Sequence, residues 1–267
     1  MTEISDPTFD ISKTIYYTLS IRFVPNGFCF VVTDKEHAVL YFTIQKDLAI
    51  AHNKYLANQF NQVFFCCDTH QYTLLPKPLY MADKKEDYWN LNFDNKASEE
   101  TIMTDEVRMT DIVNMYYMDK TLPAINELMN VYPNLCFVHR QTIQMSMSVM
   151  KNRQGNQQQL HLFLQQDAID VVYTSEGRVI LANTYAYKKE DEFLYYVLNV
   201  FDQLKLNQYQ TEVLIYGSNK EKIKDLLSDY IKVITIENSV FENINERFHS
   251  EEINGQYTLL YLPLAIK

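Results

Sequence analysis

Residues 160–187 read LHLFLQQDAIDVVYTSEGRVILANTYAY, and this stretch decides the fold that the sequence predicts. Leucine at every second position of 160–164 is the period of a strand with two different faces. A strand rich in β-branched residues is predicted over 168–173 and a third strand over 179–187, with turn chemistry between them. The three strands are expected to form an antiparallel meander.

After the meander, the period of the apolar residues changes from two to 3.6, which predicts a helix over 193–204. The short apolar strand 212–216 follows, as expected of a strand that is covered on both faces. A helix between two strands usually means a crossover connection, so parallel pairing is expected. Gly217 ends that strand, residues 218–221 have the spacing of a capping box at the start of a second helix, and a strand is predicted over 232–236.

The same order of elements recurs near the N-terminus with weaker signals. An Asn-Gly pair, a strong hairpin signal, joins the first two strands. The predicted elements are strands over 17–23, 28–33 and 38–45, a helix over 46–60 and a strand over 62–67. Residue identity between the two copies is slight, so an internal duplication is inferred from the pattern alone.

The middle of the chain is predicted from the same patterns to hold strands over 72–75, 111–118 and 135–139 and helices over 122–132 and 143–151. The most polar region, 83–105, surrounds a short apolar segment with the single tryptophan, Trp89. We interpret this region as an excursion or mobile loop. It is either a lid or partner-docking loop or, as the sequence favours, a variable surface loop.

The domain boundary is predicted at residues 152–159, which read NRQGNQQQ and contain no apolar residue. Such a polar stretch is typical of a linker. It separates an N-terminal lobe, residues 1–151, from a C-terminal lobe, residues 160–267. A final strand is predicted over 257–262, where Pro263 would end it.

Composition and charge argue against several classes of function. The 267 residues suit one large or two smaller domains, and a hydrophobic content of 47% supports a substantial core. A formal net charge of −10 without a dense Lys/Arg block argues against nucleic acid or an anionic membrane as a partner. No apolar run suffices for a transmembrane segment, and the N-terminus lacks the pattern of a signal peptide. The four cysteines lie in apolar runs, so we expect a cytoplasmic protein with reduced thiols.

Two lobes, each with a three-strand antiparallel meander followed by helices and parallel strands, have the element order of the actin-like ATPase fold, which is built on ribonuclease-H-like halves. The resemblance is carried by residues 19–45, 160–187 and 213–217, by the motif Thr-Leu-Leu-Pro at 73–76, and by Gly27-Phe28 in the first turn. On these residues the chain resembles an uncharacterised bacterial family, a domain of unknown function, with that α/β fold. The resemblance implies a neighbourhood of non-catalytic relatives, such as the actin-like scaffolds of secretion and pilus machines.

ATP handling on this fold would need an Asp-x-Gly loop in each meander. The Asp would hold hydrated Mg²⁺ or orient the attacking water, and the Gly would let backbone amides approach phosphate. Residues 22–26 contain no Asp before Gly27, and residues 165–168 contain Asp167 but no glycine. Both loops therefore depart from what the family needs for ATP hydrolysis.

The turn that would hold the adenosine is represented here by Gly217 and Ser218, which are our candidate cofactor-binding residues. They lie where a strand meets a helix N-terminus, a natural site for anions. Glu221, at the start of that helix, would place a negative charge where a phosphate would go. The sequence therefore predicts no bound cofactor.

Other chemistries find weaker support. A nuclease on this fold would need carboxylates on the first strand to hold two metals, and residues 19–23 have none. Residues 66–70 (Cys-Cys-Asp-Thr-His) suggest a metal, but no second Cys or His pair stands at a suitable spacing, so buried cysteines before a surface turn is the favoured interpretation.

Two pairs of residues could be imagined as a nucleophile with its base: Asp47 with His52, and Cys136 with His139. No third group orients either pair, and a single histidine is more often a structural residue. We assign no catalytic residue and no metal ligand.

Adjacent tyrosines at 16–17, 116–117 and 195–196 place one ring on each side of their element, so one ring of each pair is a candidate for exposure. Exposed tyrosines favour protein interfaces. The alternative, equally favoured, is that both lobes need bulky residues to fill their cores.

The sequence thus predicts a non-catalytic cytoplasmic scaffold with an actin-like fold and degenerate nucleotide-binding loops, acting through an unidentified protein partner or as a homodimer. The alternative is a divergent ATPase or sugar-kinase-like enzyme of the same superfamily with its ligand in the cleft between the lobes.

Overall fold

The computed structural model describes residues 2–24, 27–46, 55, 57–95, 97–153, 158–237, 248, 250, 253 and 255–266. These residues fall into two compact units. Unit 1 contains the chain up to Ile143 together with the C-terminal residues from Thr258, and unit 2 continues from Gln144 and includes Tyr257. Most of the predicted helix over 46–60 and four residues of the predicted linker, 154–157, lie outside the described residues.

Unit 1 is built mainly of strands. In chain order its elements are β1 (Thr2–Ser5), β2 (Thr18–Val24), β3 (Gly27–Thr33), β4 (Val39–Gln45), β5 (Gln62–Cys67), β6 (Tyr72–Pro76), α1 (Lys85–Asn92), β7 (Ile102–Glu106), β8 (Ile112–Tyr117), α2 (Pro123–Val131) and β9 (Cys136–His139). Helix α3 (Arg140–Arg153) follows β9.

The main sheet of unit 1 has the strand order β1-β4-β3-β2-β5-β9. Strands β2, β3 and β4 form the predicted antiparallel meander, and β5 and β9 continue it in parallel to β2. The hairpin between β2 and β3 is confirmed by continuous pairing from Thr18 with Thr33 to Val24 with Gly27. Its two turn residues, 25 and 26, lie outside the described part. Strand β1, which pairs antiparallel with β4, was not predicted.

Unit 2 repeats the same sheet. Its elements are β10 (Gln159–Leu164), β11 (Ala168–Ser175), β12 (Arg178–Ala186), α4 (Glu190–Gln203), β13 (Glu212–Tyr216), α5 (Lys220–Ser228) and β14 (Ile234–Ile236). The strand order is β12-β11-β10-β13-β14, with an antiparallel meander and two parallel strands. Without the additional strand β1 of unit 1, and numbered in chain order within each sheet, both sheets have the order 3-2-1-4-5. The predicted mixed sheets and the parallel pairing across the α4 crossover are confirmed.

The core of unit 2 lies where the predicted apolar face of α4 packs on its sheet. Phe193, Val197 and Phe201 are buried, as the 3.6-residue period predicts. They join Leu160 and Val213 of the central strands in one cluster. The middle strands are buried on both faces, and for this reason β13 is apolar almost throughout.

The prediction of a loop over 83–105 was wrong. Residues 85–92 form α1, and residues 102–106 form β7, an edge strand of a three-stranded sheet with the order β6-β8-β7. Trp89 is fully buried against Ile102 and Met115, and its indole N–H donates to the Asn95 carbonyl. The prediction of a loop failed because the charged side chains of α1 face the solvent while the helix buries the Trp89 ring.

The predicted strand over 257–262 was also wrong, because these residues lie in helix α6 (Tyr257–Ala265), and Pro263 lies inside it. All six positions are buried. A helix buried on all sides and a buried strand both appear as an uninterrupted apolar run, so the period cannot distinguish them.

The predicted capping box at the start of α5 does not form at Ser218. The N-cap residue is Asn219, whose side chain makes no capping hydrogen bond. Gly217 has φ 112° and Asn219 has φ 58°, so two residues with positive φ turn the chain sharply before the helix begins. That turn displaces the helix start by one residue.

Candidate functional site

The carboxyl ends of the parallel strands are where open α/β sheets bind ligands. In unit 1, these ends bring together three polar groups. Arg22 lies near the end of β2, Asp68 directly follows β5, and Arg140 directly follows β9. We call these three residues the Arg–Asp–Arg cluster.

Asp68 connects the two arginines of the cluster. Its Oδ2 accepts from Arg22 Nε at 3.1 Å and lies 2.8 Å from Nη2, and its Oδ1 accepts from Arg140 Nη1 at 2.9 Å. Arg22 also donates to the Thr258 hydroxyl. The residues Arg22 and Arg140 are 8% and 4% exposed. Burial alone would raise the pKa of Asp68, but the two guanidinium groups outweigh it and lower the pKa below its ordinary value.

A second set of polar residues adjoins the cluster around His139. The His139 Nε2 lies 2.9 Å from the Thr69 carbonyl oxygen. Because a carbonyl only accepts, Nε2 carries the proton. Nδ1 then accepts from the Asn114 amide at 2.9 Å and from the Gln141 backbone N–H at 3.2 Å. The ring is therefore a neutral structural residue, held in one tautomer.

Asp105 holds the other side of this network. Its Oδ2 accepts from the His139 backbone N–H at 2.7 Å and from the Thr142 hydroxyl at 2.9 Å, and its Oδ1 accepts from the Tyr116 hydroxyl at 3.1 Å. Burial raises the pKa of Asp105 from 3.8 to about 6, against the effect of these three donors.

The cysteines carry no activated nucleophile. Cys66 and Cys67 are buried and free, and burial raises the pKa of both thiols. Cys136 is exposed, yet partial desolvation and the charge of Asp105 raise its pKa as well. Since both ring nitrogens of His139 are engaged elsewhere, Cys136 and His139 do not form a nucleophile–base pair. The other pair, residues 47 and 52, lies outside the described residues.

In unit 2, the candidate residues Gly217 and Ser218 lie at the carboxyl end of β13, in the turn before α5. A Cβ atom on Gly217 would lie 2.9 Å from the Leu164 carbonyl oxygen. The close approach of this turn to β10 therefore explains the glycine. After the turn, the Lys220 ammonium donates to the Glu237 carbonyl at 2.7 Å, and the Glu237 side chain is ion-paired with Lys151.

Near the turn between β10 and β11, two amide side chains contact the Asp170 carboxylate. Gln165 Nε2 donates to Asp170 Oδ2 at 3.2 Å and to the Tyr257 hydroxyl at 2.7 Å. Gln144 makes the same two contacts, at 2.8 Å and 3.1 Å, and Thr184 donates to Asp170 Oδ1. The Asp170 carboxylate is thus surrounded by neutral donors of its own unit.

Unit 1 also has an open groove of about 570 Å³ at the start of β5. Phe60, Val63, Tyr132, Pro133 and Ile266 are among its lining residues. Its size suits a small molecule. No charged residue is among the described residues that line it, so this groove offers nothing that would grip phosphate.

Sequence reasoning missed the Arg–Asp–Arg cluster and Asp105. A usable signal was present, because Asp68 and Arg140 each directly follow a predicted strand. The sequence does not say that β5 and β9 are neighbours, because the insertion from β6 to α2 separates them along the chain.

Solved structures share this fold. A protein from Bacteroides thetaiotaomicron VPI-5482, described as having an actin-like ATPase fold and unknown function, is 23% identical, with a TM-score of 0.75 over 94% of this chain and 98% of that chain. A PilM-PilN type IV pilus biogenesis complex contains a chain that is 11% identical, with a TM-score of 0.57 over 93% of this chain and 97% of that chain. These likenesses confirm the predicted actin-like ATPase fold.

A search of curated proteins finds no match. No helix within the described ranges has both the length and the apolar composition that crossing a bilayer requires. The model of one protein family does match, over residues 6–234, which is most of the sequence. The chain therefore belongs to the family described as "Protein of unknown function (DUF3822)".

Proposed function

We propose that this protein is a non-catalytic member of the actin-like fold that acts by binding another protein. The observation that carries the proposal is the Arg–Asp–Arg cluster. At the carboxyl ends of β2, β5 and β9, the two cations that could hold phosphate already share the Asp68 carboxylate. A phosphate would have to compete with a buried carboxylate for these guanidinium groups.

The glycines at the expected phosphate loop of unit 1 and at the expected adenosine turn of unit 2 support the same proposal. A Cβ on Gly27 would lie 1.8 Å from the Gln45 carbonyl oxygen, and one on Gly217 would lie 2.9 Å from that of Leu164. Chain packing is therefore sufficient to require glycine at both positions. Neither glycine needs a ligand to explain it.

A relative of the same fold provides a precedent for protein binding. The PilM-PilN structure is a pilus biogenesis complex in which one chain shares this fold. By analogy of fold alone, we infer that this chain binds a protein partner rather than a substrate. The cytoplasm is the compartment we propose for it.

A second candidate function is that of a divergent nucleotide-binding ATPase or sugar-kinase-like enzyme. The observation in its favour is the turn at Gly217 and Ser218, which leads into the N-terminus of α5, where backbone N–H groups attract anions. Glu221 in the first turn of α5 opposes this function, because it places a carboxylate at the same helix end.

A thermal-shift titration with Mg-ATP, and with Mg-tripolyphosphate as the matched control, tests the proposal. A ligand at one hundred times its dissociation constant adds about 2.7 kcal/mol of stability, which is several degrees in melting temperature. We expect no shift with either compound. A shift with Mg-ATP alone that Ser218→Glu removes would overturn the proposal in favour of the enzyme.

A further inference from the structure

The groove at the start of β5 is a cavity that the proposed function does not use. It lies between two segments that lead into parallel strands: residues 59–62 lead into β5, and residues 131–134 connect α2 with β9. The groove is therefore at the amino ends of these strands, whereas the Arg–Asp–Arg cluster is at their carboxyl ends. The 6 residues of β5 separate the two places by roughly 20 Å, so the groove is a site of its own.

The floor of the groove is apolar and aromatic. Val63, Phe64 and Tyr132 line it and are buried, and Phe60, which also lines it, is half-buried. The Phe60 and Tyr132 rings meet edge to face, with their centroids 6.4 Å apart. A further ring packs well against such a pair, in an offset or edge-to-face arrangement. The floor therefore suits a flat apolar group.

Two exposed apolar side chains stand beside this floor. Val131, the last residue of α2, and Ile266 are each 42% exposed and line the groove. A ligand that covers them removes apolar surface from water, which is worth roughly 25 cal/mol per Å². The volume of about 570 Å³ lies within the range of small-molecule sites, roughly 300–1,000 Å³.

The polar lining residues are neutral. Four of them are exposed and carry a side-chain amide: Gln59, Asn61, Gln62 and Asn134. An amide both donates and accepts hydrogen bonds. Since the described lining residues include no charged side chain, an ion that left water for the groove would find no opposite charge among them, and that is costly. An uncharged group with an N–H and a carbonyl finds partners of both kinds.

The end of α2 adds hydrogen-bond acceptors to one wall of the groove. The last carbonyls of a helix have no partner within it, and they carry the negative end of its dipole. The Tyr132 N–H takes the Leu128 carbonyl, but Pro133 has no N–H to offer the next one. This wall is therefore unfavourable for an anion and favourable for the N–H of an amide.

We propose that this groove binds an uncharged aromatic molecule that carries an amide-like group. The ring lies on the floor formed by Phe60 and Tyr132, and the polar group contacts the side-chain amides and the end of α2. The ligand is bound and not converted, because the Cys136 thiol, which also lines the groove, has a pKa that burial raises and is no activated nucleophile. This site adds a small-molecule ligand to the proposed protein-binding function and does not rest on it.

Benzamide is the probe, with benzoate and benzamidinium as matched controls, because the three share one ring and differ in the charge of one group. We expect benzamide to bind at least about tenfold more tightly than either ion. Amide NMR spectra of the full chain measure the affinities. The backbone amides of Val63, Val131 and Ile266 should shift together as benzamide is added.

Two pairs of variants locate the binding. Val131→Trp should fill the groove and weaken benzamide binding at least about tenfold, whereas the matched Ile180→Trp, at a residue of β12 that is 53% exposed, should leave it unchanged. Asn134→Asp should raise the affinity for benzamidinium about 2- to 5-fold through an exposed ion pair, and the matched Asn90→Asp on α1 should not. If Val131→Trp does not fold, the second pair decides.

Equal binding of the three probes, shifts confined to amides outside the groove, or no benzamide binding up to its solubility limit would each overturn this inference. Any of these results leaves the proposed protein-binding function standing. A Mg-ATP shift contradicts that function and leaves the benzamide result unaffected, so the two failures are distinguishable.

Discussion

Arg22 and Asp68 form an ion pair in which two guanidinium nitrogens, Nε and Nη2, lie 3.1 Å and 2.8 Å from one carboxylate oxygen. The other oxygen of Asp68 serves Arg140 at 2.9 Å. Two cations that are almost completely buried thus share one carboxylate. Breaking such a group from one side is costly because it leaves uncompensated charge in the interior.

Asp68→Ala should therefore lower the free energy of unfolding by about 3–5 kcal/mol. Urea unfolding followed by circular dichroism measures this change. The matched control is Asp94→Ala, at an exposed aspartate, which should change stability by less than about 0.5 kcal/mol. If the two variants are equally stable, the cluster contributes nothing to the fold.

The same variant tests what the arginines can bind. With Asp68 removed, Arg22 and Arg140 lose the carboxylate that they share, so sulfate should raise the melting temperature of Asp68→Ala more than that of the wild type. Chloride at matched ionic strength is the control. An equal response to sulfate would mean that the arginines are not accessible to anions.

Asp105 should make the protein less stable as the pH rises from about 4 to about 6. Its pKa is about 6 in the folded chain and 3.8 as an ordinary value, so the folded state holds the proton more tightly. The stabilisation that this proton provides is complete below the pKa of Asp105 in the unfolded chain. It is lost as the pH rises through the pKa of Asp105 in the folded chain. Relative to Asp105→Asn, we expect a loss of roughly 1–2 kcal/mol for this partly exposed group. Carbon NMR of the carboxyl group should titrate near pH 6; a midpoint near 4 would contradict the effect.

His161 should stay neutral through the physiological range. It is buried between Tyr216 and Thr174, and burial lowers its pKa from 6.5 to about 3. The unfolded chain takes up a proton below its own pKa while the folded chain does not, so this stability is lost as the pH falls from about 6.5 towards 3. Its ring resonances should not shift between pH 8 and pH 5. His161→Gln should reduce the dependence of stability on acid, and an unchanged dependence would count against this assignment.

The loss of stability on replacing Gly27, Gly177 or Gly217 by alanine should depend on which atoms the new Cβ approaches. At Gly27 it meets the Gln45 backbone oxygen at 1.8 Å, which cannot move alone, so the cost should exceed about 3 kcal/mol. At Gly177 the nearest atom is Cγ of the flexible Arg153 side chain, and mainly the φ of 70° is strained, for about 1–2 kcal/mol. Gly217 should lie between them. Urea midpoints give the order, and a tolerated Gly27→Ala would contradict the packing argument.

The meander of each unit could be predicted because its signals are local. The alternation in 160–164, the change to a 3.6-residue period at Phe193 and the Asn-Gly turn each depend on neighbours within a few residues. Helix α6 could not be predicted, because burial on all sides removes the polar face that gives a helix its period. Strand β1 was missed because its four residues, two of them exposed and two half-buried, are too few to show a pattern.

The candidate site was only partly predictable. Gly217 and Ser218 could be placed at a strand end because strand, turn and helix are consecutive in the chain. The Arg–Asp–Arg cluster could not be assembled, since its three members are 46 and 72 residues apart and meet only through the pairing of β2, β5 and β9.

The sequence by itself determined the repeated meander, the helix and strand that follow it in unit 2, and the absence of Asp-x-Gly loops, because each of these depends on residue type and short spacing. Only the tertiary structure decided that two arginines share the Asp68 carboxylate and that β12 lacks the neighbour that β4 has among the described residues. Both facts depend on which strands lie side by side, and that is set by the packing of whole sheets rather than by any local stretch of chain.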